Sequence, residues 1–180
     1  MRMSRRVLPQ CCALPETAQV TDVQPGFIIA DDSHIELLLQ LMKEFYLVEH
    51  LAYDPAKARK GLKQIIADNR LGAIYLIQVD QQLAGYVVLT FGFSLEFHGR
   101  DALVDEFYVR ESYREKGIGS ATLAFILSIC RKEGIEAVHL EVDRNNGRAQ
   151  KLYRKSGFAD HDRYLLTRWL KDHEYSSTGS

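Results

Sequence analysis

Two glycines, Gly117 and Gly119, mark an abrupt change of hydrophobic period in this chain of 180 residues. Before them, residues 102–109 are rich in apolar and aromatic side chains, a composition typical of a β-strand. After them, apolar residues recur at every third or fourth position up to about Glu133, which predicts a helix with a broad buried face. A strand that leads through a short turn into a buried helix favours the α/β class of folds.

Local signals predict the other elements. Asp54 followed by Pro55 is a typical helix start, and Ser33 with Glu36 has the spacing of a capping box at an earlier helix. Residues 92–100 contain two glycines with aromatic and charged side chains, which favours a loop near a binding site. The further predicted strands are 27–30, 73–79, 85–91, 137–142 and a final strand or hairpin at 158–169, and the last predicted helix is 146–156.

Composition and charge exclude several classes of function. Lysine and arginine total 23 against 24 acidic residues, so the chain lacks the positive excess that drives non-specific binding to nucleic acid or anionic membranes. No apolar run is long enough to predict a transmembrane helix or the core of a signal peptide. The three cysteines form no disulfide framework, and no His/Cys cluster has zinc-ligand spacing. We therefore expect a cytoplasmic protein without a metal, a nucleic-acid partner or a membrane partner.

The ends of the chain differ from its middle. Residues 1–18 have no periodic apolar pattern and residues 173–180 are mostly polar, so we predict a disordered leader and a disordered tail. Residues 19–172 contain no repeat and no Pro/Ser-rich linker, which predicts a single domain.

The turn before Gly117 carries the strongest chemical signal. Glycines let a ligand approach the main chain, and a helix N-terminus offers unpaired N–H groups and a positive dipole to an anion. Arg114 and Lys116 add positive charge. The segment suits a pyrophosphate, although Gly-x-Gly alone fits a tight strand-to-helix turn equally well. Neither the G-x-G-x-x-G of a dinucleotide fold nor the G-K-[ST] of a P-loop is present.

Arg114-Glu115-Lys116-Gly117-Ile118-Gly119 resembles the acetyl-coenzyme A loop of the GNAT superfamily of N-acetyltransferases, whose signature is [RQ]-x-x-G-x-[GA] after a strand. A second signature of that family, N-x-x-A-x-x-L-Y-x-x-x-G-F, is matched by Asn146, Ala149, Leu152, Tyr153, Gly157 and Phe158. Asp105 and Glu106 are similar to the paired carboxylates of the polyamine acetyltransferase branch. The resemblance implies a central mixed, mostly antiparallel sheet of six to seven strands flanked by about four helices.

The resemblance also implies how acetyl-coenzyme A binds. Backbone N–H groups of the loop would hold the pyrophosphate, and the main chain of the preceding strand would pair with the pantetheine arm as an added strand does. Asn146 would lie near the pantetheine, with a helix cap as the competing interpretation. The implied cofactor-binding residues are Phe107, Tyr108, Val109, Arg114, Glu115, Lys116, Gly117, Ile118, Gly119, Ser120, Asn146 and Ala149.

Catalysis by direct attack of an amine requires a base, because an alkyl ammonium must lose a proton before it reacts. Asp105 and Glu106 are adjacent in a strand and should point to opposite faces, and we favour Glu106 as base with Asp105 next. The resemblance makes Tyr153 the general acid for the leaving thiolate, although Tyr153 could instead be a core residue. We weigh His98 as a substrate contact and His139 as a packed side chain.

We therefore expect an acetyl-coenzyme A-dependent N-acetyltransferase in which a primary amine, most simply a small molecule, attacks the thioester directly within a ternary complex. Two alternatives stay open: a non-catalytic acyl-coenzyme A-binding module, and an enzyme that acetylates protein N-termini or lysines. The resemblance further implies a homodimer.

Overall fold

A computed structural model describes residues 23–170 of the chain. The first strand, β1 (Gly26–Ile29), leads through a 3₁₀ turn at Asp32–His34 into α1 (Ile35–Val48). The helix α2 (Pro55–Ala67) precedes β2 (Gly72–Val79) and β3 (Gln82–Ser94). The predicted leader (1–18), the first residues of the predicted domain (19–22) and residues 171–180, which include the predicted tail, lie outside the described residues.

The second half alternates strands and helices. The strand β4 (Gly99–Val109) leads through a 3₁₀ turn at Glu111–Tyr113 into α3 (Ile118–Lys132). The strand β5 (Ala137–Leu140) and the helix α4 (Gly147–Lys155) follow. This confirms the predicted strand-to-helix junction at Gly117.

The strands form one sheet in the order β1-β2-β3-β4-β5. Every neighbouring pair is antiparallel except β4 with β5, which is parallel. The sheet is therefore mixed and mostly antiparallel, as expected. The described residues contain five strands, so the expected number of six to seven was too high. The predicted final strand or hairpin at 158–169 was wrong, because these residues form no strand.

Helices cover both faces of the sheet. On one face, α1 and α2 pack over Ile74 and Tyr86 through Leu38, Leu41 and Leu62. On the other face, α3 buries Leu123, Ile126 and Cys130 against Val87 and Leu89. Burial of these apolar surfaces supplies the main force that holds the layers together. No helix in the described part of the chain is long and apolar enough to cross a membrane.

One of the two predicted helix starts is confirmed. Asp54 caps α2 by accepting hydrogen bonds from the N–H groups of Ala56 (2.9 Å) and Lys57 (3.1 Å), and Pro55 is the first helical residue, as predicted. The capping box at Ser33 and Glu36 was wrong. Asp31 and His34 form it two residues earlier, because a 3₁₀ turn precedes the helix.

The predicted loop at residues 92–100 is mostly strand. Gly92 pairs with Asp101 and Phe93 pairs with Arg100, so β3 and β4 continue almost to the tip of their hairpin. Only residues 95–98 form the turn, in which His98 has a positive φ of 64°.

Candidate active site

The two strands β4 and β5 pair only over part of their length. Their parallel register runs from Asp101 opposite Ala137 to Val104 opposite Leu140. Beyond this point β5 ends while β4 continues to Val109. A cavity of about 470 Å³ opens there, between the end of β4, the residues after β5, the start of α3 and the helix α4.

The main chain of β4 faces this cavity at alternate residues. The N–H of Arg110 donates to the carbonyl of Ala84 on β3 (2.8 Å), which fixes the alternation of the antiparallel pair. The main-chain groups of Phe107 and Val109 therefore point away from β3, toward the unpaired edge. The carbonyl of Val109 accordingly accepts a hydrogen bond from Nε of Arg114 (2.8 Å). This edge has the arrangement that an added strand or an extended amide ligand needs.

A β-bulge at Asp105 interrupts the pairing of β4 with β3. Val88 lies opposite Glu106 and Leu89 lies opposite Val104, so Asp105 is the extra residue. Its carboxylate lines the cavity. The surrounding protein raises the pKa of Asp105 because it disfavours the charged form, and no described cation offsets this effect.

Glu106 lies on the α1 side of the sheet and is absent from the cavity lining. Its two carboxylate oxygens accept hydrogen bonds from the hydroxyls of Tyr46 (2.7 Å) and Tyr86 (2.6 Å). Burial raises the pKa of Glu106, and the two phenol hydrogen bonds partly oppose that increase. Burial likewise raises the pKa values of both tyrosines, so they stay protonated donors. The geometry thus favours Asp105 over Glu106 as the group that faces a ligand.

The turn before α3 combines a left-handed glycine with open N–H groups. Gly117 caps α3 in the left-handed region with φ 79°, a conformation that glycine adopts at little cost. The first helical hydrogen bond runs from Ala121 to Gly117, so the N–H groups of residues 118–120 have no helical acceptor. A Cβ on Gly119 would come within 3.0 Å of the Leu152 side chain. The helix N-terminus therefore presents donors and a positive dipole to the cavity.

Most of the predicted cofactor-binding residues line the cavity. They are Phe107, Tyr108, Val109, Arg114, Glu115, Gly117, Gly119, Ser120, Asn146 and Ala149. Two do not. The ammonium of Lys116 lies 5.7 Å from the centre of the Tyr113 ring, and the Ile118 side chain is buried in the core, so each could contribute only its main chain.

Asn146 is the N-cap of α4, as one of its two interpretations predicted. Its side-chain oxygen accepts a hydrogen bond from the N–H of Ala149 (3.0 Å) and caps α4. Since Asn146 also lines the cavity, the cap residue itself borders the space where a ligand would lie.

Tyr153 lies half-buried on α4, lines the cavity and packs its ring near Phe158 at a centroid distance of 6.1 Å. Its hydroxyl makes no hydrogen bond within residues 23–170. Burial, followed by the nearby charge of Glu49, raises the pKa of Tyr153. The phenol is therefore protonated at neutral pH and free to donate.

Glu49, at the C-terminal end of α1, was not predicted from the sequence. Its side chain lines the cavity, and within the described residues it has no hydrogen-bond or ion-pair partner. No sequence signal would have identified it, because it lies 104 positions before Tyr153 and its proximity depends on the packing of α1 beside α4.

Charges are unevenly distributed over the cavity wall. Arg148 and Glu115 form an ion pair of 3.0 Å next to the N-terminus of α3. Glu49, Asp105 and Glu141 line the wall without a counter-ion among the described residues. In residues 23–170 no group of His, Cys, Asp and Glu has the arrangement of a metal site.

The segment 92–100, predicted to be a loop near a binding site, does not line this cavity. Glu96 pairs with Arg163 at 2.9 Å, and the His139 ring lies 4.6 Å from the Phe97 ring and 3.6 Å from Asp101. None of these side chains, nor that of His98, lines the cavity.

Comparisons with known proteins agree with this geometry. Residues 35–158 match the Acetyltransferase (GNAT) family. Over 68 residues, the chain is 38% identical to the GCN5-related N-acetyltransferase 6, chloroplastic, of Arabidopsis thaliana, a match that covers 32% of this chain and 24% of that protein. The chain thus spans about a quarter of the length of this curated relative.

Solved structures show the same fold. An integron cassette protein from the mobile metagenome of the Cole Harbour salt marsh is 32% identical, covers 82% of this chain and 91% of its own, and has a TM-score of 0.73. A predicted acetyltransferase of Clostridium acetobutylicum, solved with acetyl-coenzyme A, is 19% identical, covers 83% of this chain and 99% of its own, and has a TM-score of 0.69.

Proposed function

The chain belongs to the GNAT acetyltransferase family, and we propose that it transfers an acetyl group from acetyl-coenzyme A to the primary amino group of a small cationic molecule. The observation that carries this proposal is the distribution of groups along one cavity. Main-chain donors and Arg114 lie at the α3 end, and Tyr153, Asp105 and Glu49 line its wall. Acetyl-coenzyme A would supply the activated thioester.

The α3 end of the cavity fits the pyrophosphate of the cofactor. The N–H groups of residues 118–120 have no helical acceptor, and Gly117 keeps the approach to them free of a Cβ. The outward C=O of Phe107 and the outward N–H of Val109 fit the amides of a pantetheine arm in the gap between β4 and β5. These contacts use main chain, so they depend on the fold rather than on side-chain identity.

The acceptor is inferred to be cationic because carboxylates dominate the cavity wall. Glu49 and Asp105 line the cavity without a cationic partner in the described chain, so an ammonium bound there would have a carboxylate to pair with. Such a substrate also requires deprotonation before attack, since the pKa of an alkyl ammonium is about 10.4.

Asp105 is our proposed base. It lines the cavity, and its raised pKa makes it a stronger proton acceptor than an ordinary aspartate. Glu106, the favoured candidate from the sequence, is better explained as a positioning residue. Its carboxylate, held by two phenols, fixes the β4 backbone directly after the bulge.

Tyr153 is our proposed general acid. Its phenol is protonated at neutral pH and has no competing hydrogen-bond acceptor in the described chain. The N–H of Phe107 points into the gap and is available to hydrogen-bond the carbonyl oxygen as negative charge develops there.

A two-stage experiment tests the proposal. Isothermal titration should detect binding of acetyl-coenzyme A, and a thiol-release screen of amines, amino acids, aminoglycosides and peptides should detect turnover. The sharpest comparison pairs an alkyl diamine with the monoamine of the same length, and we expect the diamine to have the higher kcat/KM. Binding without turnover on any acceptor would indicate a non-catalytic acyl-coenzyme A module. Turnover on peptides alone would indicate a protein acetyltransferase.

A further inference from the structure

The first residue after β4 is tied by its side chain to both α1 and β3. Arg110 follows β4 directly, and its guanidinium forms a bidentate ion pair with the carboxylate of Glu44 on α1, with N–O distances of 2.8 and 2.7 Å. The third guanidinium nitrogen donates to the carbonyl of Leu83 on β3 (3.0 Å). Bidentate pairs add fixed geometry to charge, so this side chain holds the end of β4 at a defined place on α1.

The main chain around Arg110 is held at the same point. Its N–H donates to the carbonyl of Ala84 on β3 (2.8 Å). The carbonyl of the same peptide bond, that of Val109, accepts from Nε of Arg114 (2.8 Å). The carbonyl of Arg110 then accepts from the N–H of Tyr113 (2.9 Å), which begins the turn toward α3. The chain therefore leaves the sheet at Arg110.

The ion pair between Glu44 and Arg110 is partly sheltered from solvent. The two side chains are 32% and 26% exposed, so water screens their attraction less than that of a surface pair. Hydrogen bonds from the Arg110 guanidinium hold the pKa of Glu44 below its ordinary value, so the pair is charged at neutral pH. Neither residue lines the active-site cavity, so any effect on a ligand there must act through the backbone.

Arg110 lies between the two sets of main-chain donors that face the cavity. The N–H of Val109, one residue earlier, points into the gap beside β4. The N–H groups of residues 118–120, which have no helical acceptor, follow the turn that begins at Arg110. One cofactor molecule must reach both sets, so their separation and relative angle decide how well it binds.

We propose that Glu44 and Arg110 are positioning residues for the acetyl-coenzyme A site, an inference that rests on the cofactor of the proposed function. Their ion pair fixes the end of β4 against α1 and thereby sets the start of α3 at the separation that one cofactor spans. Without the pair, Arg110 keeps only its bonds to β3, and the turn that it begins shifts. The pyrophosphate and the pantetheine arm then no longer meet their donors at the same time.

Long-range charge predicts the opposite effect, which makes the proposal testable. Coenzyme A is an anion, so a neutral side chain at position 44 removes a repulsive charge and would tighten binding if electrostatic attraction decided the affinity. Glu44→Gln should instead weaken coenzyme A binding by about 2- to 30-fold, the size of effect that residues outside a site commonly have on it. The loss should persist at high salt, which screens charge.

Isothermal titration of the full-length chain with coenzyme A measures the dissociation constant, and a stoichiometry near that of the wild type shows that a variant is folded. Arg110→Gln should also weaken binding. The double variant should lose no more than the single variant with the weaker binding, because the two residues act as one pair. Glu36→Gln is the matched control. It breaks another pair of α1, with Arg59 on α2 (2.9 Å), outside the active-site cavity, and should leave the constant unchanged.

A second variant tests the role of geometry without removing the charge. Arg110→Lys retains the positive charge but not the bidentate pair, so it too should weaken binding. A wild type that does not bind coenzyme A would overturn the proposed function and this inference together. If the wild type binds, unchanged or tighter binding by Glu44→Gln, additive losses in the double variant, an equal loss in Glu36→Gln, or full affinity in Arg110→Lys would each overturn only the positioning role.

Discussion

The hydroxyl of Tyr86 donates a hydrogen bond of 2.6 Å to the carboxylate of Glu106 inside the sheet, on the side covered by α1. Tyr86 is fully buried, so removing its hydroxyl leaves one oxygen of a largely desolvated carboxylate without its donor. A buried acceptor that loses its donor is left without a hydrogen bond, because water does not reach it, and the folded state is destabilised.

We therefore expect Tyr86→Phe to lower the free energy of unfolding by about 1–3 kcal/mol. The measurement is urea unfolding followed by circular dichroism. Tyr164→Phe is the control, because Tyr164 is exposed and its hydroxyl has no buried partner. Equal stability of Tyr86→Phe and the wild type would show that the hydrogen bond does not stabilise the fold.

Tyr153→Phe should lower kcat by about 10²- to 10⁴-fold while leaving the affinity for coenzyme A unchanged. The reason is that only the phenol proton is lost, and the ring still packs beside Phe158. Thiol-release kinetics and titration calorimetry measure the two quantities. Tyr75→Phe, a buried tyrosine outside the cavity lining, is the matched control and should retain full activity.

Asp105→Asn should remove the acidic limb of the pH profile. In the wild type, kcat/KM should rise as the base deprotonates, at a pH above the ordinary range of aspartate because burial raises the pKa of Asp105. The variant should be slow at all pH values without that limb. Asp80→Asn, in the turn between β2 and β3, should keep the wild-type profile. An unchanged acidic limb in Asp105→Asn would assign the base to another group.

Glu115→Gln should tighten coenzyme A binding by about 2- to 5-fold. The substitution releases Arg148 from its exposed ion pair and removes a negative charge from the loop that would face phosphates. Titration calorimetry at low salt measures the change, which should shrink at high salt. Glu111→Gln, outside the cavity lining, should have no effect.

Features that depend on neighbouring residues in the sequence were predictable. The cap of α2 at Asp54 depends only on the residues that follow it. A change of hydrophobic period in the sequence indicates the junction at Gly117. The motif residues around Gly117 and Tyr153 could likewise be located before any fold was known. The structure brings both to one cavity.

Features that depend on partners distant in the chain were not predictable. The bulge at Asp105 arises from the register between β3 and β4, so the alternation of side chains expected for an unbroken strand fails there. Tyr46 reaches Glu106 across 60 positions through the packing of α1 on the sheet. The strand expected near residue 166 fails for the same reason, since a strand exists only where another strand pairs with it.

Because β5 ends before β4, the gap beside β4 affects which substitutions along β4 are tolerated. Phe107 and Val109 direct their side chains into the core while their peptide groups face the gap. Substitutions at these positions therefore alter packing but leave in place the peptide groups that face the gap. Proline is the exception, because it lacks the backbone N–H. A lineage with this architecture can exchange much of its sequence along β4 and still recognise the same donor, so divergence of the acceptor and retention of the donor are separable.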